Sequence, residues 1–186
     1  MKIFKHLYLN NRVFYGSFFV AVIYILAFFF PILLNLASIL LLILSLLTFV
    51  DALLLFITKE PIKAQRILPE KLSNGDENFV KIDIKNLYGF NIKTKIIDEI
   101  PFQFQKRDFL IEKNIESKKN IFFQYHLEPK ERGEYSFGSL NVFVSSPFGL
   151  VSRKFIFQKD DQLPCYPSFI HLRKYELMAL NNEFMM

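Results

Sequence analysis

The segment Arg132–Phe155, RGEYSFGSLNVFVSSPFGLVSRKF, alternates strand-forming residues with regularly spaced turn residues. Glycine tolerates the positive φ of turns and bulges, and proline fixes φ, so the two residue types together mark tight connections. The segment holds no nucleophile with a base beside it. We interpret it as a determinant of shape, with the motif residues Arg132, Gly133, Tyr135, Gly138, Ser146, Pro147, Phe148 and Gly149. Phe148 is expected to close the end of the domain, and Arg132 to pair with a carboxylate.

Similar alternation of apolar and polar residues recurs on both sides of this segment, which predicts six to eight short strands separated by turn residues. The apolar faces are Val80, Ile82 and Ile84; Ile92, Thr94 and Ile96; Ile121, Phe123, Tyr125 and Leu127; Leu140, Val142 and Val144; and Phe155 and Phe157. Residues 102–111 are expected to form irregular edge segments. Residues 59–168 are therefore predicted to form an antiparallel, immunoglobulin-like β-sandwich, with most phenylalanines in its core.

The N-terminal part is different, because no charged residue occurs from Val13 to Val50. A membrane-spanning helix needs about 20 apolar residues, so the apolar region suits two helices and is too long for a signal peptide. Residues 1–58 are predicted to form a transmembrane hairpin with spans at 14–30 and 36–57, broken at Pro31 and Asn35. The expected fold class is an α+β membrane protein, a two-helix hairpin followed by the sandwich.

Basic residues flank both ends of this hairpin. They are Lys2, Lys5 and Arg12 before it, and Lys59, Lys63 and Arg66 after it. Basic residues near span ends favour the cytoplasmic side, which places the soluble domain in the cytoplasm. The formal net charge of the 186-residue chain is +5. Beside a membrane anchor, this excess indicates attraction to anionic lipid rather than to nucleic acid.

Asp51 is the one ionisable residue within the predicted spans. An intramembrane carboxylate is costly and marks a candidate functional contact. It lies only ~9 Å from the end of its helix, however, because each residue advances the helix by ~1.5 Å. We expect a packing or interfacial role, with a hydrogen bond to Ser17 or Tyr15 of the first span, or a contact with a partner protein.

Other polar residues give no pattern typical of catalysis. His6, His126 and His171 lack metal-ligand spacing, and the single cysteine, Cys165, is expected to be buried and inert. No phosphate-binding glycine loop or catalytic triad pattern stands out, and Asp160-Asp161 is interpreted as a hairpin tip and not as a paired acid and base. The sequence therefore predicts a protein that is not an enzyme, with no cofactor, no metal, no nucleic acid and no small-molecule substrate.

The end of the chain changes period. The segment FIHLRKYELMALNNEFMM, residues 169–186, has helical spacing and no stop signal. It is expected to begin a helix that leads to a further C-terminal domain. The alternative is a short helix that docks on the sandwich.

Four pieces of the sequence together resemble a known family. They are RILPEKLSNGDE (66–77), DEIP (98–101), RGEYSFGSLNVFVSSPFGL (132–150) and CYPSF (165–169). In this order after two apolar segments, they resemble the domain-of-unknown-function 58 family of bacterial membrane proteins. The resemblance implies an inner-membrane location, a von Willebrand factor A-like domain after residue 186, and partnership with MoxR-type AAA+ ATPases and A-domain proteins.

Two functions follow from these observations. The first is a non-enzymatic, membrane-anchored scaffold that helps an ATPase to assemble or mature other complexes, with the lipid bilayer as its first partner. The second is an envelope binding or adhesion module that faces outward. The second requires the opposite membrane topology, against the flanking charges.

Overall fold

The structure, a computed structural model, describes residues 6–106, 109–158 and 160–168. It has two helices, α1 (Asn11–Ala27) and α2 (Ile32–Phe56). The strands are β1 (Leu7–Leu9), β2 (Ile62–Ile67), β3 (Leu72–Ser73), β4 (Asn78–Asn86), β5 (Ile92–Asp98), β6 (Leu110–Ile115), β7 (Asn120–Leu127), β8 (Gly133–Phe137), β9 (Leu140–Ser145), β10 (Val151–Phe157) and β11 (Asp161–Tyr166). A short 3-10 helix covers Phe102–Phe104. The predicted helix over 169–186 lies outside the described residues.

The strands form three sheets. β1, β10, β9, β5 and β6 lie in that order in a five-stranded antiparallel sheet. β2, β4 and β7 form a second antiparallel sheet. In the third sheet, β11 lies between β8, to which it is antiparallel, and β3, to which it is parallel. The prediction of a β-rich domain with antiparallel sheets is therefore confirmed, with the short β3–β11 pair as a parallel exception.

The five-stranded sheet and the β3–β11–β8 sheet form one bent layer, because two strands run from one into the other. β8 continues as β9 past Gly138, and β10 continues towards β11 past Gln158, whose φ is 37°. Gly138 does not have a positive φ. A Cβ added there would lie 2.8 Å from the Cβ of Glu99, an atom fixed to the backbone, so the close approach requires glycine.

The core lies between this bent layer and the β2–β4–β7 sheet. Alternate residues of β4 face inward, as the sequence pattern predicts. Ile82 and Ile84 pack with residues of the five-stranded sheet, and Val80 packs with residues of the β3–β11–β8 sheet. The larger cluster includes Ile92, Ile96, Ile115, Leu140, Val142, Val144 and Val151, and the smaller includes Leu72, Leu127, Tyr135, Phe137 and Leu163.

The expectation that phenylalanine fills the core holds in part, because Phe90, Phe104, Phe123, Phe155 and Phe157 are half-buried and pack against it. Phe137 is the one fully buried phenylalanine among the described residues. β-Branched residues and leucine fill most of the space between the sheets instead. Many phenylalanines are exposed on the helices and in the turn between them, at Phe14, Phe18, Phe19, Phe28, Phe29, Phe30 and Phe49.

The two helices pack against each other in antiparallel directions. At Gly16 they are so close that an added Cβ would lie 3.2 Å from a methyl group of Leu44. Nearer the turn, the Tyr24 and Ser38 hydroxyls lie 3.1 Å apart in a hydrogen bond. The helices are offset from the predicted spans at 14–30 and 36–57. The reason is that α2 begins directly after Pro31, a residue that the start of a helix tolerates, and includes Asn35.

Among the described residues, only α2 is both long enough and apolar enough to be a candidate membrane span, judged by length and composition. α1 is apolar but has 17 residues, which is shorter than that criterion. The prediction of two membrane spans is therefore not confirmed: the two helices pack together, but only α2 is a candidate span among the described residues.

Candidate functional site

Asp51 lies in the last two turns of α2, and its side chain is fully buried. Its carboxylate accepts a hydrogen bond from the Ser146 hydroxyl. It also accepts bonds from the backbone N–H groups of Leu150 and Val151, each at 2.9 Å. The partners of Asp51 are therefore in the β9–β10 connection of the sandwich, and not in α1 at Ser17 or Tyr15 as the sequence suggested.

The β9–β10 connection is shaped to present these donors. Gly149 has φ 66°, a conformation that favours glycine, and its N–H donates to the Ser146 hydroxyl oxygen at 3.3 Å. The turn directs two successive N–H groups at one carboxylate oxygen. Phe148 does not close the end of the sandwich as expected, because it is half exposed. Only its carbonyl is engaged, by Arg12.

The C-terminal end of α2 is held by two further side chains of the sandwich. Arg153 donates to the carbonyl oxygens of Leu55 at 2.7 Å and Thr58 at 3.2 Å, and its guanidinium lies 4.5 Å from the Phe56 ring centroid. The Tyr88 hydroxyl also donates to the Leu55 carbonyl, at 2.7 Å. The last carbonyls of a helix lack partners within it and carry partial negative charge, so a half-buried cation and a hydroxyl are suitable partners. Burial raises the pKa of Tyr88 to about 12, despite the opposing effect of Arg153.

The start of α1 is bound to the same connection. The Asn10 side chain donates to the Gly149 carbonyl at 3.0 Å and accepts from the Ser152 hydroxyl at 2.6 Å. Arg12 donates to the Phe148 carbonyl at 2.9 Å. Immediately before Asn10, β1 pairs with β10. Both helices thus leave the sandwich from one contact region, the junction, which comprises Leu7–Arg12, Asp51–Thr58 and Ser145–Arg153.

A second buried polar cluster lies where strands change sheets. Arg66, 2% exposed, contacts Asp98 at 2.6 Å and Asp161 at 2.7 Å, and donates to the Gly138 carbonyl at 3.0 Å. The Tyr125 hydroxyl donates to the other oxygen of Asp98 at 2.5 Å. Burial raises the pKa of Asp98, although Arg66 and Tyr125 act against that change.

This Arg66 cluster was not predicted from the sequence, where Arg66 was taken as a flanking basic residue. Its neighbours are spread over 95 positions of the chain, which no local pattern connects. The cluster ties the bend of the outer layer to β2 and β5, and we assign it a structural role. The flanking charge after α2 that remains exposed is that of Lys59 and Lys63.

The two halves of the opening motif lie apart. Ser146, Pro147 and Gly149 are in the junction, whereas Gly133 begins β8 with φ 135°. Near it, the buried Tyr135 donates its hydroxyl to the Glu131 carbonyl at 2.9 Å. Arg132 is exposed, and within the described part of the chain it has no ion pair. The expected pairing of Arg132 with a carboxylate is therefore not found.

The remaining candidate residues are Cys165 and His126. Cys165 is buried, and burial raises its thiol pKa, which disfavours the reactive thiolate. His126 is exposed on β7. Over residues 6–106, 109–158 and 160–168, no group of three or more metal-binding side chains is found. Of the two polar clusters described above, the junction is the one that connects the helices to the sandwich.

No protein-family model matches the chain, and neither does any curated protein. Among solved structures, the ASH/PapD-like domain of human CEP192 is similar over 57% of this chain and 84% of its own, at 13% identity and TM-score 0.42. A CARDB domain from Pyrococcus furiosus is similar over 56% and 87%, at 11% identity and TM-score 0.36. The PKD domain of an M14-like peptidase from a Thermoplasmatales archaeon is similar over 55% and 91%, at 12% identity and TM-score 0.34. At these TM-scores and sequence identities, the similarities give no information about function.

Proposed function

We propose that this protein is a non-enzymatic scaffold, anchored in a membrane by a two-helix hairpin that fixes the orientation of an immunoglobulin-like sandwich. The observation that carries the proposal is the burial of Asp51 against the β9–β10 connection. A carboxylate in an apolar helix is costly unless donors surround it. Here three donors come from the soluble domain, so the helix and the sandwich stabilise each other.

Rigid attachment is what distinguishes this arrangement from a simple tether. The Arg153 and Tyr88 contacts hold the end of α2, and the Asn10 and Arg12 contacts hold the start of α1. Only residues 57–61 separate α2 from β2. A tether raises the local concentration of a partner, whereas a rigid one also sets the direction in which the partner is presented.

In the proposed arrangement, both ends of the hairpin lie on one side of the membrane. The pairing of β1, which precedes α1, with β10, which follows α2, supports it, because paired strands lie on the same side. The basic residues at this end, among them the exposed Arg12, Lys59 and Lys63, favour the cytoplasmic face of a bacterial inner membrane. The run of exposed phenylalanines on the helices supports a lipid environment for both of them.

Partnership with a MoxR-type AAA+ ATPase and with A-domain proteins is part of the proposal. It is supported by the sequence resemblance to the domain-of-unknown-function 58 family in the 132–150 segment, which builds both β9 and the junction connection. Co-purification of the membrane-embedded chain with such an ATPase, with and without ATP, tests it. Absence of the ATPase under both conditions would reject the partner and leave the anchoring proposal standing.

Cysteine labelling tests the topology. In a Cys165→Ala background, Lys130→Cys places a thiol on an exposed loop of the sandwich. We expect a membrane-impermeant maleimide to label it in inverted inner-membrane vesicles and not in intact spheroplasts. The opposite result would overturn the cytoplasmic assignment and favour an outward-facing binding module. Extraction of the chain from membranes by alkaline carbonate would reject membrane anchoring altogether.

A further inference from the structure

A groove of about 610 Å³ lies beside the start of α1, between that helix end and the outer surface of β5 and β6. Three basic side chains and one acidic side chain line it, namely Arg12, Lys93, Lys95 and Glu112. Lys93 and Lys95 alternate with buried residues of β5, so both project from the outer surface of the sheet. The groove is therefore strongly cationic.

Little of this positive charge is neutralised by the protein. Lys95 pairs with Glu112 at 3.0 Å, but both side chains are more than half exposed, and such pairs are weak. Lys93 has no carboxylate within ion-pair distance among the described residues. Arg12 uses one guanidinium nitrogen for the Phe148 carbonyl, which fixes the side chain and leaves its other donors available.

The upper wall of the groove is preorganised. Asn10, Ser145 and Ser152 bond to one another at 2.6–3.3 Å, so their polar atoms are already satisfied. This triad holds the start of α1 against the sheet. The basic side chains are thus presented on a fixed frame, which reduces the entropy lost when a ligand binds.

The position of the groove relates it to the membrane. Arg12 is the last charged residue before the uncharged run from Val13 to Val50. Phe14 and Tyr15, in the first turn of α1, are exposed. A helix that enters a bilayer at this point brings the groove to the level of the lipid headgroups, with apolar helix surface directly below it.

We propose that the groove binds the phosphodiester headgroup of an anionic phospholipid. This inference rests on the proposed membrane anchoring. Ammonium and guanidinium groups are suitable phosphate ligands, and each basic residue near an anionic membrane surface adds to binding. The single carboxylate in the groove is already paired, so nothing there favours the cationic end of a zwitterionic headgroup.

Binding is measured with the full chain in phosphatidylcholine nanodiscs, by titration with dioctanoyl phosphatidylglycerol and, separately, dioctanoyl phosphatidylcholine. We expect saturable binding of the anionic lipid only. The test variant is Lys93→Gln/Lys95→Gln, which leaves the junction contacts of Arg12 intact. At ~1 kcal/mol per basic residue, it should bind roughly thirty-fold more weakly. The matched control is Lys81→Gln/Lys130→Gln, two exposed lysines outside the groove.

Each outcome is decisive. A loss in the test variant and not in the control supports the site. Equal binding of both lipids, or an equal loss in both variants, would overturn it in favour of non-specific attraction. If inorganic phosphate or glycerophosphoglycerol competes fully at equal concentration, the site is one for a soluble phosphate and the lipid assignment is wrong. Failure of the chain to enter phosphatidylcholine nanodiscs would instead contradict the proposed anchoring, which separates the two hypotheses.

Discussion

Replacing Asp51 by alanine should release the sandwich from α2. The change leaves the buried N–H groups of Leu150 and Val151 without an acceptor. A buried donor left unpaired costs about 1–3 kcal/mol, so two of them give about 4 kcal/mol. Asp51→Asn keeps the shape and one oxygen that can accept from both N–H groups, while its amide can donate to the Ser146 hydroxyl. The Asn variant loses only the extra strength that a negatively charged acceptor gives to these hydrogen bonds, about 1 kcal/mol.

The assay is hydrogen exchange of the peptide containing residues 146–153, measured by mass spectrometry on the chain in nanodiscs. A loss of 4 kcal/mol corresponds to exchange about a thousand-fold faster for opening of the junction, and 1 kcal/mol to about five-fold. The control is Thr48→Ala, one turn earlier in α2, which removes only a hydroxyl bond to the Leu44 carbonyl. If Asp51→Ala exchanges like this control, the junction does not hold the sandwich. If Asp51→Asn is as disruptive as alanine, the carboxylate serves a charge partner and not the N–H groups.

Three further changes test other parts of the structure. Arg66→Ala leaves two carboxylates in the Arg66 cluster without their cation and should lower the free energy of urea unfolding by about 4 kcal/mol; a loss below 1 kcal/mol would contradict a tight buried network. Because burial raises the pKa of Tyr88 to about 12, this residue should contribute to the free energy of unfolding below pH ~10, and that contribution should be lost as the pH rises through 12. In urea titrations at alkaline pH, Tyr88→Phe should make the free energy of unfolding decline less steeply. In the Cys165→Ala background, Phe29→Cys places a thiol in the turn between α1 and α2. The ~18 residues before it advance the helix by ~1.5 Å each, so they barely cross a ~30 Å hydrocarbon layer. A membrane-permeant maleimide should therefore label this thiol, whereas an impermeant maleimide added from the far side should not.

The strands of the sandwich were largely predictable because their signal is local. In β4, β5 and β9 the residues that alternate in the sequence are the ones that the structure buries, for example Ile82, Ile96 and Val142. In a half-buried strand every second side chain faces the core, so the alternation of apolar and polar residues shows which face is buried. β1 was missed because three residues are too few to show a period, and β6 was predicted only as an edge segment because just one of its six residues is buried.

The polar contacts of the junction and of the Arg66 cluster were not predictable. Asp51 was recognised as unusual, but its donors lie 95–100 positions away in the chain. Arg66 was interpreted as a basic residue that flanks the hairpin, because the residues near it in the sequence do not indicate its contacts with Asp98 and Asp161. A motif shows that a turn is needed, as at Gly149, but it does not show which side chain the turn will meet.

The pairing of β1 with β10 has a consequence for biosynthesis. Asn10 and Ser152 bond across 142 positions of the chain. At ~5–20 residues per second, the ribosome needs on the order of ten seconds to make the strand that β1 awaits. Both helices are complete long before then, so under the proposed anchoring they enter the lipid while the first strand is still unpaired. Until residues 146–151 emerge, Asp51 has none of its donors. A nascent chain that stalls earlier therefore keeps the Asp51 carboxylate in its apolar helix without these three donors.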